Sequence, residues 1–187
     1  MAHLVFLSSV MNSGKTARLL QMNFDYKRIG KKTMLLKPAL DTRESTIKSR
    51  NGLEEDCILI HSRKDLDLIS DIDIAFIDEA QFLSKKDIDK LRKISLEKNI
   101  DIYCFGLKSD FRGKLFKGAK RLLEIADYSD ELSTMCPCGH KATMNIKYDK
   151  HTGIIIKKGD SIECGYEDMY MSVCYKHFTF KNVKDIK

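Results

Sequence analysis

The sequence predicts an α/β protein with a mostly parallel sheet covered on both faces, followed by a small zinc-binding unit of β-hairpins. Three observations carry this. Short apolar runs alternate with amphipathic stretches from Leu4 to Phe105. Ser9-Val10-Met11-Asn12-Ser13-Gly14-Lys15-Thr16 stands between the first run and the first amphipathic stretch, in the form of a phosphate-binding loop. From Cys136 the grammar changes to short runs broken by Gly139, Gly153, Gly159 and Gly165, with Cys and His at paired spacing.

Leu4-Val5-Phe6-Leu7 is the first predicted strand. Ala17 to Ile29 places Leu20 and Phe24 four apart and Leu19 and Met22 three apart, predicting a helix closed by Gly30. Thr33 to Leu36 is a second strand, stopped by Pro38. Between Ala39 and Asp56 apolar periodicity vanishes, and Arg43, Lys48 and Arg50 mark a long polar loop of the kind that usually serves function. Cys57 to Ile60 is a third strand, Ser62 to Ile69 is helical, and Ile72 to Ile77 is a fourth strand ending at Asp78-Glu79. Ser84-x-x-Asp87 has the form of a capping box and opens a helix carrying Ile88, Leu91 and Ile94. Ile102 to Phe105 is the fifth strand. A boundary near Leu132–Met135 divides a nucleotide-binding core, 1–132, from the small unit, 133–187, and Asn182 to Lys187 is expected to fray.

The 187 residues carry a net charge of +6, with 43% hydrophobic and 32% charged residues. Lysines are dispersed and form no basic block, a balance that suits a small polyanion at least as well as nucleic acid. No apolar run reaches membrane-span length and no signal-peptide pattern opens the chain, so a cytoplasmic location is expected. In that compartment clustered cysteines read as metal ligands rather than disulfides.

In a phosphate-binding loop the backbone N–H groups of Ser9 to Thr16 converge on polyphosphate oxygens, Lys15 reaches the β- and γ-phosphates, and the Thr16 hydroxyl ligates Mg²⁺. Lys15 is then expected to be exposed when no nucleotide is bound. The alternative is a Ser/Gly turn that happens to end in Lys-Thr. An apolar strand ending in Asp78-Glu79 places Asp78 to hold Mg²⁺ and Glu79 to act as general base; a strand continuing past Asp78 would send these side chains to opposite sides. The alternative is an ordinary strand end.

Cys136-x-Cys138 and Cys174-x-x-His177 can enclose one tetrahedral Zn²⁺, which would be structural because the protein fills every position. The first pair is a residue shorter than usual, which leaves His140 open as a substitute ligand. Separate structural Cys and surface His is the alternative. Cys57, Cys104 and Cys164 have no partner at ligand spacing, and the first two read as core. Leu107, Phe111 and Phe116, on or beside Gly106 to Gly113, either wall a pocket for a flat ring or anchor the core. Tyr170 is equally open, and Arg43 is either solvated or closes over phosphate charge.

Together these residues resemble a family. Ser8 to Thr16, Asp41-Thr42-Arg43, Asp78-Glu79-Ala80-Gln81-Phe82, Phe105 to Gly113 and Met171 to His177 occur in the order and spacing of bacterial type II thymidine kinases. The resemblance runs from Leu4 to Phe178. It implies an ATP:thymidine 5′-phosphotransferase with a RecA-like core and a zinc-bearing domain whose lasso covers the nucleoside. It also implies Glu79 as base, Lys15 and Arg43 on the phosphates, and Met11, Leu107, Phe111, Phe116 and Tyr170 around thymine. Homotetramers and inhibition by dTTP are expected on the same ground. The chain departs from the family at Ser9, at the short Cys136-x-Cys138 pair, and at Glu163-Cys164-Gly165-Tyr166, where the family has Ile-Gly-Gly. Asn145 and Lys147 fall where the family often has a polar residue and an Arg near the base.

Two other functions fit parts of the sequence. The net charge of +6 and the metal cluster suit a zinc-ribbon nucleic-acid-binding P-loop ATPase, although the second unit lacks a basic stripe with interleaved aromatics. A slow nucleotide-hydrolysing switch acting through a partner is the third. A kinase needs the nucleoside for ATP turnover, whereas an ATPase does not.

Overall fold

The computed structural model describes residues 1–40, 45–160 and 170–186. The strands β5 (Ile58–Ile60), β2 (Thr33–Pro38), β6 (Ile74–Ile77), β7 (Asp101–Leu107), β1 (Leu4–Ser9) and β8 (Tyr128–Leu132) form, in that order, a six-stranded sheet. Every pairing in it is parallel. Side chains alternate between two faces, as strand geometry requires. On one face Leu35, Ile74, Phe76 and Phe105 meet Leu19 and Leu20 of α1 (Lys15–Arg28). On the other Leu36, Ala75, Ile77, Ile102 and Cys104 meet Ile88, Leu91 and Ile94 of α2 (Lys85–Lys98) and Leu122 of α3 (Lys117–Ile125). The capping box predicted at Ser84 and Asp87 is present.

The sheet order positions the chemistry. One strand, β7, separates β1 from β6, and Phe6, Cys104 and Ile77 lie in one row across the three. The loop after β1 and the residues after β6 therefore leave the same carboxyl edge, the usual ligand edge of an open parallel sheet.

The polar stretch from Ala39 to Asp56 is not a continuous loop. It contains an antiparallel hairpin, β3 (Thr46–Lys48) with β4 (Glu54–Asp56). Buried Ile47 is the hairpin's apolar anchor, and Glu55 accepts hydrogen bonds from Asn23 and Lys27 of α1. One apolar residue and two polar bonds make no periodic signal. The helical stretch after Ser62 is a 3₁₀ helix, Arg63–Leu68, begun by a Ser62/Asp65 capping box. The sequence assigns no element between Phe116 and Leu132, yet α3 and β8 lie there; β8 is a polar edge strand beside β1.

Among the described residues beyond Leu132 the strands pair antiparallel. β9 (Thr134–Met135) pairs with β10 (Lys141–Ala142), and β11 (Met144–Tyr148) lies between β12 (Ile155–Ile156) and β13 (Tyr170–Val173), which leads into α4 (Tyr175–Phe178). Ala142, Ile146, Ile155 and Val173 share a core with Cys136 and with Val10 from the loop after β1. The expected fraying from Asn182 is not found through Ile186. Asn182 caps a 3₁₀ turn, Val183–Asp185, and Val183 and Ile186 pack on that core.

Candidate active site

The loop after β1 turns into α1 through Gly14, whose φ of 75° is left-handed and suits a residue without Cβ. Lys15 is the first helical residue and its ammonium reaches across to the end of β6. It donates to Asp78 Oδ1 at 3.1 Å and also to Glu79 Oε1. Thr16 Oγ1 donates to Asp78 Oδ2 at 3.0 Å, and the Glu79 N–H donates to Asp78 Oδ1 at 2.9 Å. Burial pulls the Lys15 pKa down, but attraction to Asp78 and Glu79 outweighs it and holds the ammonium above its ordinary value.

Two expectations are corrected here. Lys15 is only 8% exposed, because two carboxylates draw it inward. The strand also does not continue past Asp78: Glu79 is left-handed, with φ of 52°, and begins a 3₁₀ turn, Ala80–Phe82. That bend brings the Asp78 and Glu79 side chains together on Lys15 instead of separating them. Two carboxylates against one ammonium leave excess negative charge beside the Thr16 hydroxyl. This oxygen-rich donor set fits a hard divalent cation such as Mg²⁺.

Lys15, Asp78 and Glu79 line a cleft of about 990 Å³, together with residues 10–14 and 16. Leu107, Phe111, Phe116, Asn145 and Tyr170 line the same cleft, so most residues singled out in the sequence meet in one place. Ser9 lies beneath the loop, fully buried, and its hydroxyl has no protein partner among the described residues. Phe111 is 2% exposed and meets Tyr170 edge-on at 6.3 Å between ring centroids. Phe116 meets Phe82 edge-on at 5.7 Å. The Lys147 ammonium sits 5.6 Å from the Phe111 ring centroid. Arg43, with Asp41 and Thr42, and Tyr166, with Cys164, lie outside the described residues.

Side chains of β11 and β13 grip the loop. Asn145 Oδ1 accepts from Met11 N at 2.9 Å, Asn145 Nδ2 donates to Ser109 O at 3.2 Å, and Ser172 Oγ donates to Met11 O. Ser172 falls within the Met171 to His177 motif, but sequence reasoning gave it no role. The polar segment marked by Lys48 and Arg50, read as a loop of the kind that serves function, does reach the cleft: Arg50 donates to Asn12 Oδ1, and Lys48 to Gly52 line it. Gln81 and Phe82 had a signal, being part of the motif that follows Glu79, but no role was read from it.

Away from the cleft, one ligand atom each from Cys136, Cys138, Cys174 and His177 lies within 4.8 Å of all the others. The edges include 3.4 Å for Cys136–Cys138, 3.8 Å for Cys138–Cys174 and 3.1 Å for Cys136 Sγ to His177 Nδ1. Tetrahedral zinc, with bonds of ~2.3 Å to sulfur and ~2.0 Å to nitrogen, requires edges of this order. Three soft thiolates and an imidazole fit Zn²⁺, which would be closed off from a catalytic water. The backbone N–H of His140 helps lower the Cys138 thiol to about 6, toward the thiolate that a metal needs. His140 itself is exposed and lies outside the cluster, with Nδ1 3.4 Å from Cys138 Sγ. Cys57 and Cys104 are buried, as expected of core residues. Among the described residues no helix is long and apolar enough to cross a membrane.

The family model described as thymidine kinase matches residues 2–178. The "Thymidine kinase" of Photobacterium profundum is 42% identical over 187 residues, covering 95% of this chain and 97% of that protein. The "Thymidine kinase" of Zymomonas mobilis is 39% identical, covering 97% and 98%. That of Enterobacteria phage T4 is 38% identical, covering 95% and 97%. Set beside a cleft in which a phosphate loop, paired carboxylates and an aromatic wall meet, these likenesses show that the chain belongs to the thymidine kinase family.

Proposed function

We propose that the protein transfers the γ-phosphoryl group of ATP to the 5′-hydroxyl of thymidine, giving dTMP and ADP. The convergence of Lys15, Asp78 and Glu79 at an aromatic-walled cleft, in a chain of this family, is the observation that supports it most. The 5′-oxygen attacks the γ-phosphorus, the bond from that phosphorus to the β–γ bridging oxygen breaks, and the 5′-hydroxyl proton passes to the Glu79 carboxylate. Such transfer needs positioning and charge stabilisation more than covalent chemistry from the protein.

Lys15 changes partners in this account. Here it pairs with Asp78 and Glu79; with ATP bound it moves to the β- and γ-phosphate oxygens, which frees a Glu79 oxygen for the nucleophile. Mg²⁺, held through Thr16 and Asp78, would neutralise charge on the phosphate oxygens when bound. The loop from Ser9 to Thr16 binds the phosphates, and Arg43 is a further cation for the transferring group. Met11, Leu107, Phe111, Phe116, Asn145 and Tyr170 surround the thymine. Residues 133–187 form a unit held by one structural zinc on Cys136, Cys138, Cys174 and His177. A homotetramer inhibited by dTTP completes the reading, with no nucleic-acid partner.

ATP turnover by purified protein with Mg²⁺, measured with and without thymidine, tests this. ADP and dTMP formed in equal amounts, only when thymidine is present, is the expected result. ADP formation independent of any nucleoside favours the P-loop ATPase reading and overturns this one.

A further inference from the structure

We propose that Gln81 is the positioning residue of the base: its amide holds the Glu79 carboxylate in place when Lys15 leaves for the phosphates. This rests on the assignment of Glu79 as base.

Gln81 is 2% exposed, and both ends of its amide are engaged. Nε2 donates to Glu79 Oε2 at 2.5 Å, and Oε1 accepts from Leu107 N at 3.0 Å. The second bond settles which way the amide points, since a backbone N–H cannot accept, and so leaves the NH₂ toward Glu79. Of the two bonds on the Glu79 carboxylate among the described residues, the one from Lys15 must be given up to ATP. The Gln81 bond competes with no substrate and remains. Because Leu107 also lines the nucleoside side of the cleft, Gln81 ties the base to the wall against which the acceptor rests.

The surrounding backbone leaves room for the turn that carries Gln81. A Cβ on Gly106 would lie 2.5 Å from Gln81 Oε1 and 3.0 Å from Gln81 N. A Cβ on Gly118 would lie 2.6 Å from Ala80 O and 2.8 Å from Gln81 O. Two glycines on separate elements thus let the 3₁₀ turn seat against β7 and α3. Since Glu79 is left-handed and its side chain is 39% exposed, its own packing does little to hold the carboxylate.

The test is a double-mutant cycle on the full chain with Glu79→Gln and Gln81→Met, reading single-turnover rate and the affinities for thymidine and MgATP. Losing a hydrogen bond to a charged group is expected to slow Gln81→Met by about ten- to a hundredfold. Both affinities should stay within about threefold of the parent. Against Glu79→Gln, where the base is already gone, Gln81→Met should add less than about twofold, because coupled groups fail non-additively. An unchanged rate in Gln81→Met, or the same fold loss in both backgrounds, overturns the proposal, since damage unrelated to Glu79 would add independently. If Gln81→Met does not fold, Gln81→Glu carries the same cycle: it keeps the acceptor for Leu107 N but turns an acceptor toward Glu79. Parental turnover by Glu79→Gln alone would instead refute the base itself, a separate outcome.

Discussion

Asn145→Leu separates two accounts of how β11 serves the site. Asn145 is 2% exposed, and leucine replaces it at similar volume, so little cavity forms. What disappears is the acceptor 2.9 Å from Met11 N and the donor 3.2 Å from Ser109 O. A buried polar group left without a partner costs about 1–3 kcal/mol. Two such groups give an upper range of about 2–6 kcal/mol, and avoiding the desolvation of the asparagine amide brings the expected loss to about 2–4 kcal/mol. For a chain of this size that lowers Tm by roughly 4–16 °C. Met11 belongs to the loop proposed for the phosphates as well as to the proposed thymine wall, so KM should rise for ATP and not for thymidine alone. Ser172→Ala, which removes only the donor to Met11 O, should show the same pattern at about 1 kcal/mol. Thermal unfolding and KM values for both substrates, on protein of unchanged zinc content, measure this. A stability change below about 0.5 kcal/mol with an unchanged ATP KM would refute the latch, and a rise confined to thymidine would show that Asn145 chiefly reads the base.

Removing zinc with a strong chelator, or substituting Cys174→Ser, should lower metal content from about one per chain and raise the ATP KM along with the loss of stability. The route is direct: Val10 packs in the same core as Cys136, and Met11 is tied to β11 and β13. Parental stability in metal-free protein would contradict the structural role. Lys15→Met should abolish turnover and destabilise the empty protein, because Asp78 is 4% exposed and loses its neutralising partner. Millimolar Mg²⁺ should recover much of that stability, since a cation can take the ammonium's place; recovery equal to that in the parent would count against this.

Much of this was legible in the sequence wherever local pattern decides structure. The strand–loop–helix around Lys15 and the capping box at Ser84 are written in contiguous residues, and the central strands are runs of apolar side chains. The hairpin at Thr46–Asp56 was not legible, because Ile47 is its single buried anchor and Glu55 is held by charge. β8 escaped because an edge strand needs no buried face. The paired carboxylates were legible as chemistry but not as geometry. Only the left-handed backbone at Glu79 turns both toward Lys15, and no composition signal announces that conformation at a glutamate. Gln81 shows the same limit: its partners, Glu79 and Leu107 N, meet only after β6 and β7 are side by side.

The central claim is that Glu79 takes the 5′-hydroxyl proton, and Glu79→Gln tests it most directly because size and hydrogen-bonding reach are kept. On one preparation, kcat, thymidine affinity and the Mg²⁺ titration should be measured together. The account predicts a kcat lower by about 10²- to 10⁴-fold. Thymidine and MgATP should bind nearly as in the parent, with an unchanged Mg²⁺ midpoint. A parental kcat at saturating substrates, or a loss fully recovered by raising Mg²⁺, would contradict it.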